Sequence, residues 1–410
     1  MSVPDEIRLL DERDPLRDFR DRFVAPDDEN LVAYLDGNSL GRPPRATADA
    51  LAGLVTDGWG SRLIRSWSEG WMDWPLTIGD RLAEATLGAA EGQTAVADST
   101  TVCLYKLLRG AAAMRPGRDE IVGDRQNFPT DGYVVQAVAD ELGLTVRWIE
   151  SDPAGGVTPE QVGEVLTERT AVVTLSHTAY RSAYLTDLPA ITELAHRAGA
   201  LTVWDLCHSV GSVPLALDEW GVDFAAGCTY KFLNAGPGAP AFMYVRGEHL
   251  DRFAQPIWGW MGHRRPFDMA PGYQPAPGMR RLLSGTPPIT GLVGVAEGVA
   301  LVAEAGIERI RAKAVELTEL VVRLTDQWLA PHGVRLASPR DPGRRGAHVT
   351  VTHPDGPALS ERLIAAGVII DHRAPDAIRV GLSPLTTSFS EAYRAMAVFR
   401  DLVRHARRCG

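Results

Sequence analysis

Between residues 94 and 245 short apolar runs alternate with stretches of helical periodicity, and this alternation constrains the fold more than any other feature. The runs are TAVA at 94–97, IVGD at 121–124, TVRWIE at 145–150, AVVTLS at 171–176, LTVWD at 201–205 and PAFMYV at 240–245. Helical patterns fall between them at 133–142, 159–167 and 188–198. Strands joined through helices run parallel, because a parallel pair needs a long crossover connection. The expected fold class is therefore α/β, a large doubly wound, mostly parallel sheet domain plus a smaller α+β domain.

At 410 residues the chain is long enough for both. An N-terminal arm over 1–50 is expected to join the small domain, with the large domain over 51–289. A linking helix and the small domain then occupy 290–410, with one long helical region from Thr290 to Ala330 and strands in HVTVTH, GVIIDHR and AIRVGLS. Residues 252–288 are irregular and rich in Gly, Pro and aromatics, as functional loops and interfaces are. Four of the ten tryptophans (Trp59, Trp67, Trp71 and Trp74) crowd into 59–74, a density more typical of core or subunit interface than of a ligand cage.

A net charge of −10 argues against a nucleic-acid footprint. The charged N-terminus lacks an apolar signal core, and the most apolar long segment carries Glu297 and Glu304, so the expectation is a cytoplasmic protein with no membrane span. Cys103, Cys207, Cys228 and Cys409 show no CxxC spacing, and His177, His208 and Cys207 lack the spacing of a zinc site, so no metal is expected. No GxGxxG follows a strand, and no GxxxxGK[ST] occurs.

The chain has only three lysines, Lys106, Lys231 and Lys313. Arginine stays protonated and forms no imine, whereas a buried lysine can be tuned to form one. Lys231 follows an apolar run and precedes the turn NAGPG, and Asp205 ends another run about 26 positions upstream. Taken singly, Asp205 reads as a turn acid or helix cap and Lys231 as a surface lysine. Together they are what pyridoxal phosphate requires: a lysine for the aldehyde and an acid that keeps the ring nitrogen protonated. Ser99, Thr100 and Thr101, between a strand and a helix, read either as a helix cap or as a phosphate site. Phe128 or His177 could stack on the ring.

The stretch 201–238, with YLDGNSLG, SWSEGW, DSTTV, FPTD, GWMGH, SGTPPI and IRVGLSPL, resembles the kynureninase family across nearly the whole chain. The resemblance implies a fold-type-I pyridoxal 5'-phosphate enzyme that acts as a homodimer with shared active sites. In it Lys231 binds the cofactor, Asp205 pairs with the ring nitrogen and His208 lies beside the ring. Thr100, Thr101, Ser176 and Tyr230 serve the phosphate, and Phe128 and Asp131 belong to the cofactor shell. Trp260 and Thr286 resemble residues that close the site from the second subunit. Arg379 matches the arginine for the substrate α-carboxylate, with Asn38 and Ser39 also at the substrate and Trp67 near its aniline ring.

The implied reaction is hydrolysis of the Cβ–Cγ bond of L-kynurenine to anthranilate and L-alanine via a lysine aldimine, with Lys231, Tyr230 and Asp205 catalytic. It is a step of tryptophan catabolism, the kynurenine pathway and NAD biosynthesis. The alternatives are a lyase for a modified kynurenine or another β-substituted amino acid, a class V aminotransferase or desulfurase, and a non-catalytic dimer that keeps the fold. Cys103, Ala179, Ser182, Ala183 and Met261 depart from the family pattern and are expected to alter the wall facing the substrate.

Overall fold

The computed structural model describes residues 2–269 and 271–406. In chain order the strands are β1 (Ala33–Tyr34), β2 (Thr94–Val96), β3 (Glu120–Asp124), β4 (Thr145–Ile149), β5 (Thr170–Ser176), β6 (Leu201–Asp205), β7 (Phe224–Gly227) and β8 (Phe242–Val245). Then follow β9 (Arg335–Leu336), β10 (His348–Thr352), β11 (Val368–Ile369), β12 (Asp371–Arg373) and β13 (Ala377–Gly381). Seven strands form one sheet in the order β2-β8-β7-β6-β5-β3-β4. Neighbours from β4 through β3, β5 and β6 to β7 are parallel. Only β8 runs antiparallel, to β7 on one side and β2 on the other.

Successive strand residues face opposite sides of a sheet, and here each side has its own core. Val173, Ala225, Phe242 and Tyr244 pack with Ile191 and Val299 on one face. Their neighbours Val172, Phe224, Ala226 and Met243 pack with Leu104, Leu107 and Val138 on the other. Apolar residues at every strand position are thus explained by burial on both faces. A third core joins the four-stranded sheet β12-β13-β10-β9 to Ile7, Ala33 and Leu35 of the N-terminal segment. The two-residue pairing of β1 with β11 ties the same segment down.

The long helical region expected from Thr290 to Ala330 is built of two helices, Ile289–Ala305 and Ile307–Leu324, and the first is bent by 82° from the helical segment Ile307–His332. Gly306 makes the break, with a φ of 80° that favours glycine. The first helix buries Leu292, Val295 and Val299 against the large sheet, and the second turns Leu317, Leu320 and Val321 into the small one. Among the described residues no single helix is long and apolar enough to cross a membrane.

Candidate active site

The register of the large sheet sets Ser176 beside Asp205 and Asp205 beside Ala226. The carboxyl ends of β5, β6 and β7 therefore lie side by side, where open α/β sheets hold their ligands. The ladder stops at Gly227, so Lys231 sits not at a strand end but four residues beyond it, in a turn. Thr229 Oγ1 donates to the Pro240 carbonyl at 2.7 Å and the Asn234 amide to the Lys231 carbonyl at 3.0 Å. The N-terminal segment crosses this turn, the Gly41 amide donating to the Tyr230 carbonyl at 2.8 Å. A side chain at Gly41 would collide with the Lys231 carbonyl, which explains a glycine at the end of GNSLG.

Asp205 is buried, accepts from the Cys207 amide at 2.7 Å on Oδ1 and from Ser176 Oγ at 2.8 Å on Oδ2. Ser176, expected with the phosphate, is thus placed at this acid. Its hydroxyl also lies 2.7 Å from Asn127 Oδ1, and Asn127 Nδ2 donates to Asp131 at 3.0 Å. Burial and the neighbouring Asp205 carboxylate push Asp131 well above the usual carboxylate range. Asp131 comes to this point because the helix Pro129–Leu142 starts with a proline, leaving it in the first turn.

Lys231 Nζ lies 3.3 Å from His208 Nε2. Burial, followed by the charges of Lys231 and Arg379, pushes His208 well below its ordinary value, so a neutral imidazole faces the amine. The other two lysines are both buried and end on carboxylates, Lys106 on Asp98 at 2.6 Å and Lys313 on Asp14 at 2.7 Å. Among the described residues Lys231 has no ion pair. Burial, then the nearby Cys228 and Cys207, raise the Tyr230 phenol far above its usual value and keep it protonated.

At the edge of this crevice the helix Thr100–Ala113 begins at Ser99, whose Oγ accepts from the Val102 amide at 3.5 Å. The cap is therefore present, yet the Thr100 and Thr101 hydroxyls make no hydrogen bond among the described residues. Asp98, just before, holds a φ of 55°. Phe128 meets Tyr180 edge to face at 5.4 Å, and burial together with the Arg311 charge pushes His177 down to about 4.

The small sheet supplies the other end of the site. Arg379, at the centre of β13, is 1% exposed, and its charge reaches His208. Its Nη1 donates to the Tyr180 carbonyl at 2.7 Å, and its Nη2 to Ser39 Oγ at 3.0 Å and to Asp371. Asn38 is fully buried against Gly381, where any side chain would collide with its Oδ1. His348, opposite Gly381 in the register, brings its ring 5.7 Å from that of His208. Arg379 Nε and both amide atoms of Asn38 are buried without a hydrogen-bond partner, and the buried His348 ring faces the Arg181 and Tyr180 backbone.

Asn127, His348 and Asp371 escaped the sequence reading. Asn127 directly precedes FPTD, which was the available signal; the other two depend on cross-strand pairing. Trp67 packs edge to face on Trp71 at 5.4 Å and Trp260 on Phe267 at 5.9 Å, while Thr286 is exposed. Among the described residues none of the three hydrogen-bonds to or stacks on Lys231, Asp205 or Arg379. Two departures expected on the substrate wall are instead in the core: Cys103 and Met261 are fully buried in the same apolar cluster. Cys103 gives its thiol to the Ala97 carbonyl at 3.2 Å, and Ala183 is fully buried with a φ of 64°.

Solved structures with the same fold include the apo cysteine desulfurase of Thermococcus onnurineus NA1, with a TM-score of 0.80, 19% identity and 99% of each chain covered. Another is C-DES with glycine covalently linked to its PLP cofactor, at a TM-score of 0.78 and 22% identity over 92% of this chain and all of that one. The fold is that of the fold-type-I pyridoxal-phosphate enzymes. Residues 310–399 match the Kynureninase C-terminal domain. The chain is 40% identical to the kynureninase of Pseudomonas fluorescens and 41% to that of Burkholderia pseudomallei, over 98% of its length and 96% of theirs. It belongs to the kynureninase family.

Proposed function

We propose that this chain hydrolyses the Cβ–Cγ bond of L-kynurenine to anthranilate and L-alanine with pyridoxal 5'-phosphate held at Lys231. The observation that carries the reading is a lysine without an ion pair among the described residues, faced by a neutral His208 and sharing with the hydrogen-bonded acid Asp205 a common neighbour, Asp131. Family membership supports the substrate. The donor set fits the cofactor: two unbonded hydroxyls at the start of a 14-residue helix for a phosphate, an acid for a ring nitrogen and an amine for an aldehyde. When bound, pyridoxal phosphate supplies that aldehyde and a protonated ring that accepts electrons from carbon.

Asp205 keeps the ring-nitrogen proton in place, and Ser176 and the Cys207 amide fix the acid's orientation. Thr100, Thr101 and Tyr230 would hold the phosphate, and Phe128, Asp131 and His208 would line the place of the ring. Arg379 receives the α-carboxylate, with Asn38 and Ser39 beside it and Trp67 toward the aniline. The Lys231 amine, when free, would remove the substrate's α-proton. Burial keeps Tyr230 protonated, so its phenol is a donor and not a base, suited to delivering a proton to Cβ after anthranilate leaves.

The homodimer belongs to the same proposal, with Trp260 and Thr286 completing the partner's site. Around Trp260, Trp258 is 65% exposed, Phe267 61% and Met269 74%, an apolar surface of the kind a subunit covers. A cytoplasmic role in tryptophan breakdown completes the reading. The desulfurase alternative finds no support in the thiols, since Cys103, Cys207 and Cys228 are all buried and Cys409 lies outside the described residues. The test is to supply L-kynurenine to the holoenzyme, follow anthranilate fluorescence and map borohydride fixation. Fixation at Lys231 without anthranilate would reject the substrate; no fixation would reject the cofactor.

A further inference from the structure

In the small sheet, the arginine assigned to the substrate carboxylate already holds a carboxylate of its own chain. The antiparallel register of β12 and β13 sets Asp371 directly opposite Arg379, with Arg373 two residues along the same strand and hence on the same face. Arg379 Nη2 donates to both Asp371 Oδ2 and Ser39 Oγ, and Nη1 is occupied by the Tyr180 carbonyl. Of the three guanidinium nitrogens only Nε is without a partner. A bidentate grip on a carboxylate takes two N–H groups from one edge, so a second carboxylate cannot be gripped until a contact on Nη2 is released.

Asp371 is the contact that can leave. The same Oδ2 lies 2.9 Å from Arg373 Nη2, and Ser39 Oγ donates to it at 3.3 Å. An Asp371 carboxylate that gives up Arg379 still has a cation, and that cation is 35% exposed where Arg379 is 1%. Its charge passes toward solvent and is not stranded in the interior, where an unpaired charge is strongly disfavoured. We propose that Asp371 is a stand-in for the substrate's α-carboxylate, holding Arg379 in the substrate-free chain and passing to Arg373 when an amino acid binds. Asp371 and Arg373 are then specificity-determining residues, because an amine without a carboxylate cannot take Asp371's place and leaves Arg379 closed. The inference rests on the reading of Arg379 as the carboxylate receptor.

The test is a suppression experiment on the holoenzyme with L-kynurenine as substrate and anthranilate fluorescence as readout. Arg373→Met leaves Asp371 with no other cation, so KM rises by about tenfold, the size of one charge-assisted hydrogen bond, while kcat changes little. Asp371→Asn weakens the competitor, and KM falls or stays level. In Asp371→Asn/Arg373→Met the KM returns close to that of the parent chain. If Asp371→Asn raises KM as Arg373→Met does, and the double variant shows both defects, the two residues merely orient Arg379 and the exchange is wrong. An Arg379→Met variant with an unchanged KM overturns the receptor reading itself and the exchange with it. Thermal unfolding of each variant, with Asn isosteric to Asp, separates a KM effect from loss of fold.

Discussion

At the Asp205 end of the site both carboxylate oxygens, the Ser176 hydroxyl and both side-chain polar atoms of Asn127 are hydrogen-bonded within the chain. At the Arg379 end, Arg379 Nε and both polar atoms of the Asn38 side chain are buried without a hydrogen-bond partner. An unsatisfied buried polar group costs about 1–3 kcal/mol, so a fold keeps several together only where something else repays them. The contrast is what the proposed function requires: one seat built for a resident group and another completed afresh by each substrate. Asp205 is locked in advance, as an acid that must hold one proton in one place should be. Arg379 is held by Asp371, and in the proposed exchange it stays so until a substrate carboxylate takes that place.

The largest expected effect is at the resident end. On the proposed roles, Lys231→Ala removes both the cofactor's attachment and the base for the α-proton, so anthranilate formation should fall by ~10³-fold or more and borohydride should fix no cofactor. Retention of a tenth of the activity would break the assignment. Arg379→Met comes next: removing a charge-assisted pair costs roughly 2–3 kcal/mol, or ~10²-fold in KM, with cofactor affinity unchanged in an equilibrium titration. Ser176→Ala should reverse that pattern, lowering kcat by about tenfold for one lost hydrogen bond at Asp205 while KM stays put. A KM effect there would blur the two ends. Tyr230→Phe should slow alanine formation after anthranilate release, which a single-turnover measurement resolves.

The effect furthest from the chemistry is on stability. His177 is held neutral, pushed down to about 4 by burial and then by the Arg311 charge. The unfolded chain takes up that proton near pH ~6.5, so the contribution is fully present above that value and is lost as pH falls toward 4, by up to about 3 kcal/mol. Urea unfolding of the apoprotein should show a falling midpoint across this window and a shallower fall in His177→Asn. Equal slopes would show that His177 does not drive it.

Much of the resident end was legible because its chemistry is written in short apolar runs. Asp205 closes one, and Lys231 follows another in a chain whose remaining lysines both end on carboxylates. The sequence did not reveal where the strand before Lys231 stops, since Cys228 and Thr229 continue an apolar pattern while their hydrogen bonds go to a turn. Nor did it distinguish the core from the pocket wall: Cys103 and Met261 lie deep in packing that no local pattern marks. The substrate end was legible at Arg379, Asn38 and Ser39, through their resemblance to a family pattern. Asp371 and His348 reach it through the register of β12, β13 and β10, which a one-residue slip would send to the opposite face. Gly306 had a visible signal, a glycine inside a helical pattern, but its positive φ is set by where the two cores lie.

The central claim is that the two ends act separately, and one paired titration tests it. Arg379→Met is reconstituted with pyridoxal phosphate and its cofactor dissociation constant is measured beside its KM for L-kynurenine. The account predicts a dissociation constant within about twofold of the parent chain and a KM raised ~10²-fold. A cofactor affinity that falls in step with the KM would contradict it.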